Sequence, residues 1–184
     1  MTVEVFHVAR EKLREELAAD LSRGGYVFHE RADGASAERY FEKHLVLSRP
    51  GLLTRSARLL ADMVPPDTER LAVVGVAATT LAVALSQHTG ISLLLGRQRE
   101  DGEVRFDGEH YTDVKCLLVE DVVFTGGQAR HGVEALRAIG ASLLAVVCLL
   151  DRETGAAQRL AEVGVSLRSL FLESDLLRSP RSPT

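Results

Sequence analysis

Beyond Pro65-Pro66 the chain settles into one repeating pattern, and that pattern constrains the fold more than any other feature. The runs LAVVGVA, ISLLLG, KCLLVED, SLLAVVCLLD and VSLRSLFL are nearly unbroken in aliphatic residues. Between them stand TLAVALSQHTG, a stretch from about Gly127 to Ile139, and AAQRLAEVG, each spaced for a helix closed by glycine or a turn. A strand wetted on one face alternates apolar and polar residues, whereas a strand buried on both faces does not. Aliphatic strands alternating with helices therefore predict an α/β fold: a parallel sheet with helices on both faces.

The first part of the chain reads differently. Val8 to Arg23 has Leu13, Leu17, Ala18 and Leu21 on one helical face, and Gly24-Gly25 stops it. Tyr26-Val27-Phe28 is a short strand, Asp33-Gly34 a turn, and Arg39 to Leu47 a second strand, so residues 1–47 form a small N-terminal hood. LLTRSARLLADMV is then helical, with Leu52, Leu53, Ala57, Leu60 and Val64 on one face, until the prolines end it. No linker or internal repeat divides the chain. One domain over residues 1–178 is expected, followed by a Ser/Pro/Arg-rich disordered tail at 179–184.

At 184 residues, with 46% hydrophobic and 26% charged positions, the chain is long enough to bury a core. Its net charge of -4 argues against a nucleic-acid partner, which needs a basic face. No apolar run reaches membrane-spanning length, and the charged N-terminus does not resemble a signal peptide, so no membrane partner and a cytoplasmic location are expected. Cys116 and Cys148 both lie inside apolar runs and read as buried, reduced thiols. None of the six histidines pairs at metal-ligand spacing, so no protein metal site is expected.

The polar stretch GRQREDGEVRFDGEHYTDV interrupts the α/β pattern. It reads either as a mobile active-site loop or as a β-hairpin with Glu103-Val104-Arg105-Phe106 as one arm, and the two are compatible.

Chemistry concentrates in VEDVVFTGGQA. A buried strand ends in the adjacent acids Glu120 and Asp121, a turn carries Thr125-Gly126-Gly127, and a helix follows at once. Ligands of open parallel sheets bind outside the carboxyl ends of strands. Glycines let backbone N–H groups approach an anion, and a helix N-terminus adds partial positive charge. Two acids ahead of a phosphate nest suit a sugar phosphate, whose vicinal hydroxyls donate to carboxylates.

This segment resembles the phosphoribosyl pyrophosphate (PRPP) signature of type I phosphoribosyltransferases. Tyr40-Phe41-Glu42-Lys43, VVGVAATTLAVALS and LLDRETGAAQRLAEVGVSLRSLFLESDLL extend the resemblance to orotate phosphoribosyltransferases. The resemblance implies that Glu120 and Asp121 hold the ribose hydroxyls and that Thr125, Gly126, Gly127 and Gln128 wrap the 5-phosphate. It implies that the turn at Ala77-Ala78-Thr79 faces the pyrophosphate, with Ala78 and Thr79 as PRPP contacts, and that Arg152 meets the pyrimidine. Arg97 and Arg99 of the catalytic loop, with Asp121, are then the catalytic side chains. Mg²⁺ bound mainly through PRPP, and a homodimer whose partner closes the loop, follow from the same likeness.

The chain departs from the family pattern where Phe124 replaces a threonine, where Arg97-Gln98-Arg99-Glu100-Asp101 lacks the usual lysines, and at Ala78-Thr79 or Thr79-Thr80 instead of two glycines. A hood lysine finds at best Arg31. Three readings stay open: ribose 5-phosphate transfer to a base such as orotate, a non-catalytic PRPP or nucleotide binder acting as sensor or partner subunit, or another sugar-phosphate or nucleotide binder on the same α/β scaffold.

Overall fold

The computed structural model describes residues 3–24, 26–29, 38–100 and 103–178. Six strands form its main sheet: β3 (Arg70–Val74), β4 (Ser92–Gln98), β5 (Val104–Asp107), β6 (Lys115–Val123), β7 (Ser142–Asp151) and β8 (Leu167–Leu172), in the order β5-β4-β3-β6-β7-β8. All neighbours run parallel except β5, which pairs antiparallel with β4 at the edge. The polar interruption is therefore a hairpin, with Arg97 opposite Arg105 and the amide of Arg99 donating to the Glu103 carbonyl at 2.8 Å. It makes the sheet mostly rather than wholly parallel.

Neighbouring residues of one strand serve opposite faces, which is why the strands read as unbroken aliphatic runs. Leu71, Val73, Leu117, Val119 and Val147 join one buried cluster. Ala72, Val74, Cys116, Leu118 and Val146 join another. The helix α4 (Val76–Thr89) packs into the first, through Leu81 and Leu85. The helices α5 (Gly127–Ala138) and α6 (Ala156–Glu162) pack into the second, through Val133, Leu136 and Leu160.

The N-terminal elements cover the first face. The helix α1 (Val3–Gly24) buries Leu17 and Leu21 in the same cluster as α3 (Pro50–Ala61). Asp20 ties the two helices through Arg55 at 2.6 Å, and Arg10 pairs with Asp62. A ribbon of β1 (Tyr26–His29) and β2 (Glu38–Phe41) follows α1.

The stretch expected to be one strand from Arg39 to Leu47 instead divides at Glu42. Its carboxylate accepts the His44 amide at 3.2 Å and caps a short helix, α2 (Lys43–Leu47), that buries Val46 and Leu47. A last turn of helix, α7 (Glu173–Arg178), follows β8 and was not expected. The tail at 179–184, Arg31 and the turn at Asp33-Gly34 lie outside the described residues.

From β3 the chain moves to one side to form β4, then returns to lay β6 on the other side of β3. Strand order reverses between β3 and β6, and an open α/β sheet leaves a crevice at the carboxyl ends there.

Candidate active site

Glu120 and Asp121 sit near the carboxyl end of β6, each only 3% exposed. Because successive side chains of a strand diverge, the two acids serve different cavities. Glu120 lines a cavity of about 490 Å³ with Thr125, Gly126, Gly127, Gln128 and Arg152. Asp121 lines a neighbouring one of about 260 Å³ with Gly75, Ala77, Ala78 and Lys43. Gln128 and Lys43 border both.

Burial pushes the Glu120 carboxyl up to about 8, the negative charge of Asp121 adds to this, and Lys43 opposes it. Its Oε1 has no hydrogen-bond partner among the described residues. Asp121 is compensated: Lys43 Nζ lies 3.2 Å from Oδ2, and the Val122 amide donates to Oδ1 at 2.6 Å. A carboxyl held neutral by burial can both donate to and accept from a hydroxyl.

After β6 the loop turns through Gly126, whose φ of 79° suits glycine. A Cβ there would stand 3.2 Å from that of Ala156, so the close approach of loop and α6 also excludes larger residues. The helix α5 begins at Gly127 with no side-chain cap, leaving its first amides and the positive end of its dipole toward the cavity. The loop is braced from the β7 side: Thr154 Oγ1 donates to the Phe124 carbonyl, and Arg159 Nη1 donates to that of Thr125 at 2.7 Å.

Arg152, just past β7, is ion-paired with Glu173 at 2.9 Å, and its guanidinium lies 5.3 Å from the centre of the Phe124 ring. Phe124 is 51% exposed and, with Tyr40 and Phe41, gives the larger cavity an aromatic wall.

On the other side of the crevice, β3 ends at Gly75, with φ 96°, and α4 starts uncapped at Val76. The turn thus lies one to two residues earlier than the expected Ala77-Ala78-Thr79. Ala78 and Thr79 belong to the first helical turn, where Ala78 is buried and the Thr79 hydroxyl donates back to the Gly75 carbonyl at 2.7 Å. Arg97, 77% exposed on its side chain, borders a third cavity of about 700 Å³ that includes Gly75, Thr79 and Gln128, and is held by Asp107 at 2.6 Å. Arg99 stands just past β4, outside all three cavities.

Glu120, Thr125, Gly126, Gly127, Gln128 and Arg152 thus line one cavity, and Asp121 and Ala78 line the next. The pattern missed Lys43, Thr154, Arg159 and Glu173 as parts of the site. Lys43 stood inside a quoted motif without a role, and nothing local to the other three signals which loop they brace. Among the described residues no group of three His, Cys, Asp or Glu is placed to hold a metal ion, and no helix is long and apolar enough to cross a membrane. Cys116 and Cys148 are free and buried, and burial pushes the Cys116 thiol up to about 11.

Known proteins resemble the chain over most of its length. An orotate phosphoribosyltransferase of Methanoculleus marisnigri is 38% identical over 151 residues, covering 79% of this chain and 86% of its own. One from Nocardioides is 34% identical over 146 residues, covering 78% and 82%. The chain belongs to the orotate phosphoribosyltransferase family. No family model matches it. The fold is also that of the orotate phosphoribosyltransferase of Mycobacterium tuberculosis solved in complex with PRPP, at TM-score 0.76 and 24% identity over 89% of this chain and 98% of that one. In this member of the orotate phosphoribosyltransferase family the loop between β6 and α5 bears Phe124, and the arginine over its ring is paired with Glu173.

Proposed function

We propose that the chain transfers ribose 5-phosphate from PRPP to orotate or a related pyrimidine and releases pyrophosphate. One observation carries this reading: two buried acids at the strand switch point lead directly into an uncapped, glycine-turned helix N-terminus, and Glu120 shares the cavity of that helix start with Arg152. A base nitrogen forms its bond to C1 of the ribose while the C1–O bond to the diphosphate breaks, and the electron pair leaves on the diphosphate oxygen. The nitrogen's proton goes to solvent.

In this reading Glu120 and Asp121 orient C1 through the ribose hydroxyls. The amides of Thr125 to Gln128 anchor the 5-phosphate, and the Gly75 turn with Ala78 and Thr79 receives the diphosphate. Arg152 faces the pyrimidine, with Tyr40 and Phe124 beside it. Arg97 and Arg99 act on the leaving group from the hairpin. The two acids offer oxygen donors at the carboxyl end of β6, which suits a Mg²⁺ that arrives on PRPP. That ion would supply charge neutralisation on the departing diphosphate.

The hairpin bearing Arg97 is exposed, which supports a homodimer whose second copy closes the site. Two buried free thiols fit a reducing, cytoplasmic setting.

The test is to incubate the pure chain with PRPP, Mg²⁺ and orotate and to follow orotate absorbance and pyrophosphate release. Turnover that Asp121→Asn abolishes supports transfer. Absent turnover with PRPP binding intact would turn the assignment toward a non-catalytic binder.

A further inference from the structure

Lys43 is the first residue of α2, set just after the Glu42 cap that fixes where the helix starts. Its side chain is 28% exposed, its ammonium lies 3.2 Å from Asp121 Oδ2, and it borders both the ribose-side cavity and the cavity of the Gly75 turn. Of the cations expected to meet the leaving group, Arg97 alone borders a cavity that includes the Gly75 turn. Arg97 is held by Asp107 of its own hairpin, and Arg99 lies past the end of β4.

An ammonium paired with one carboxylate is drawn toward a more highly charged anion that enters the same space, and the flexible lysine stem allows the shift. Ribose hydroxyls reaching Asp121 would at the same time supply the carboxylate with new donors. We propose that Lys43 is a substrate-binding residue for the diphosphate group: it neutralises Asp121 before PRPP binds and contacts the diphosphate over the Gly75 turn once PRPP is in place. The inference rests on the phosphoribosyl-transfer reading above. It gives the leaving group a cation from the hood of the same chain.

The experiment is calorimetric titration of the full chain and of Lys43→Gln and Lys43→Arg with three ligands. These are PRPP with Mg²⁺, pyrophosphate with Mg²⁺, and orotidine 5′-monophosphate, which has the hydroxyls and 5-phosphate but no diphosphate. Lys43→Gln should weaken PRPP and pyrophosphate about tenfold or more while moving orotidine 5′-monophosphate less than about threefold, the scale expected for one hydrogen bond to a charged group. Lys43→Arg should recover part of the pyrophosphate affinity.

Equal losses for all three ligands would show that Lys43 only holds Asp121, and unchanged affinities would show that it touches nothing; either overturns the proposal. Wild-type protein that binds neither PRPP nor orotidine 5′-monophosphate would instead overturn the transfer reading, and this inference with it. If Lys43→Gln does not fold, acetylation of the wild-type Lys43 amine decides, read by mass spectrometry. Pyrophosphate with Mg²⁺ should protect it and orotidine 5′-monophosphate should not; the absence of that difference overturns the proposal.

Discussion

Two loops of this chain leave neighbouring parts of one sheet and are built by opposite means. The loop between β6 and α5 starts from a central strand and is held on several sides. Ala156 packs on Gly126, Thr154 and Arg159 donate to its carbonyls, and the Arg152 amide donates to the Val123 carbonyl at 2.9 Å. The β4–β5 hairpin lies at the sheet edge, where Arg97 pairs with Asp107 and Arg105 with Glu103 in solvent. Central strands have neighbours that can brace a loop, and edge strands have water. On the proposed reading, the half of the site that would hold ribose and phosphate is therefore prebuilt, whereas the arginines assigned to the leaving group stand on an exposed edge.

The comparison is broken most directly at Asp121. Asp121→Asn strands the Lys43 charge and removes a buried acceptor, and PRPP affinity measured by calorimetry should fall about 10²–10³-fold.

A smaller effect follows from Glu120. Its carboxyl releases its proton near pH 8 when folded and near its ordinary 4.5 when unfolded. Below the lower value both states bind the proton and nothing is lost. As pH rises from there toward 8 the unfolded chain releases its proton first, so stability of the ligand-free protein falls, by a few kcal/mol at most. Urea titrations across that window should show the decline in wild type and a flatter profile in Glu120→Gln.

Next comes Gly126→Ala, which forces a side chain into a left-handed turn and against Ala156. A loss of about 1–2 kcal/mol in the same urea assay, with weaker phosphate binding, is expected. At the bottom of the scale, Arg97→Ala breaks only an exposed ion pair. Stability should stay within about 0.5 kcal/mol of wild type, while turnover falls if the hairpin acts on the leaving group. A large stability loss there would erase the contrast between the two loops.

Much of this was legible beforehand because the signals are local. Unbroken aliphatic runs announced strands buried on both faces, and the acids followed by Thr125-Gly126-Gly127 announced a ligand turn at a strand end. The hairpin has two readings in the sequence because its arms are short and polar and only cross-strand pairing defines them. The helix at Lys43 reads as strand in the sequence because one side chain, Glu42, decides where the chain changes habit. Lys43 itself was out of reach as a site residue: its meaning comes from Asp121, which is distant in the chain and close only once the hood has packed on α3 and α4. The same holds for Thr154 and Arg159, whose hydrogen bonds end on backbone carbonyls and so leave no trace in residue type.

The divergence of Glu120 and Asp121 into separate cavities has a consequence for how such a chain can change. A substitution in β6 alters one contact, but loss or gain of one residue ahead of the acids turns the strand over and exchanges their destinations. The carboxyl that meets Lys43 would then point at the phosphate loop. Length in this strand is accordingly as much a part of the site as the acids themselves.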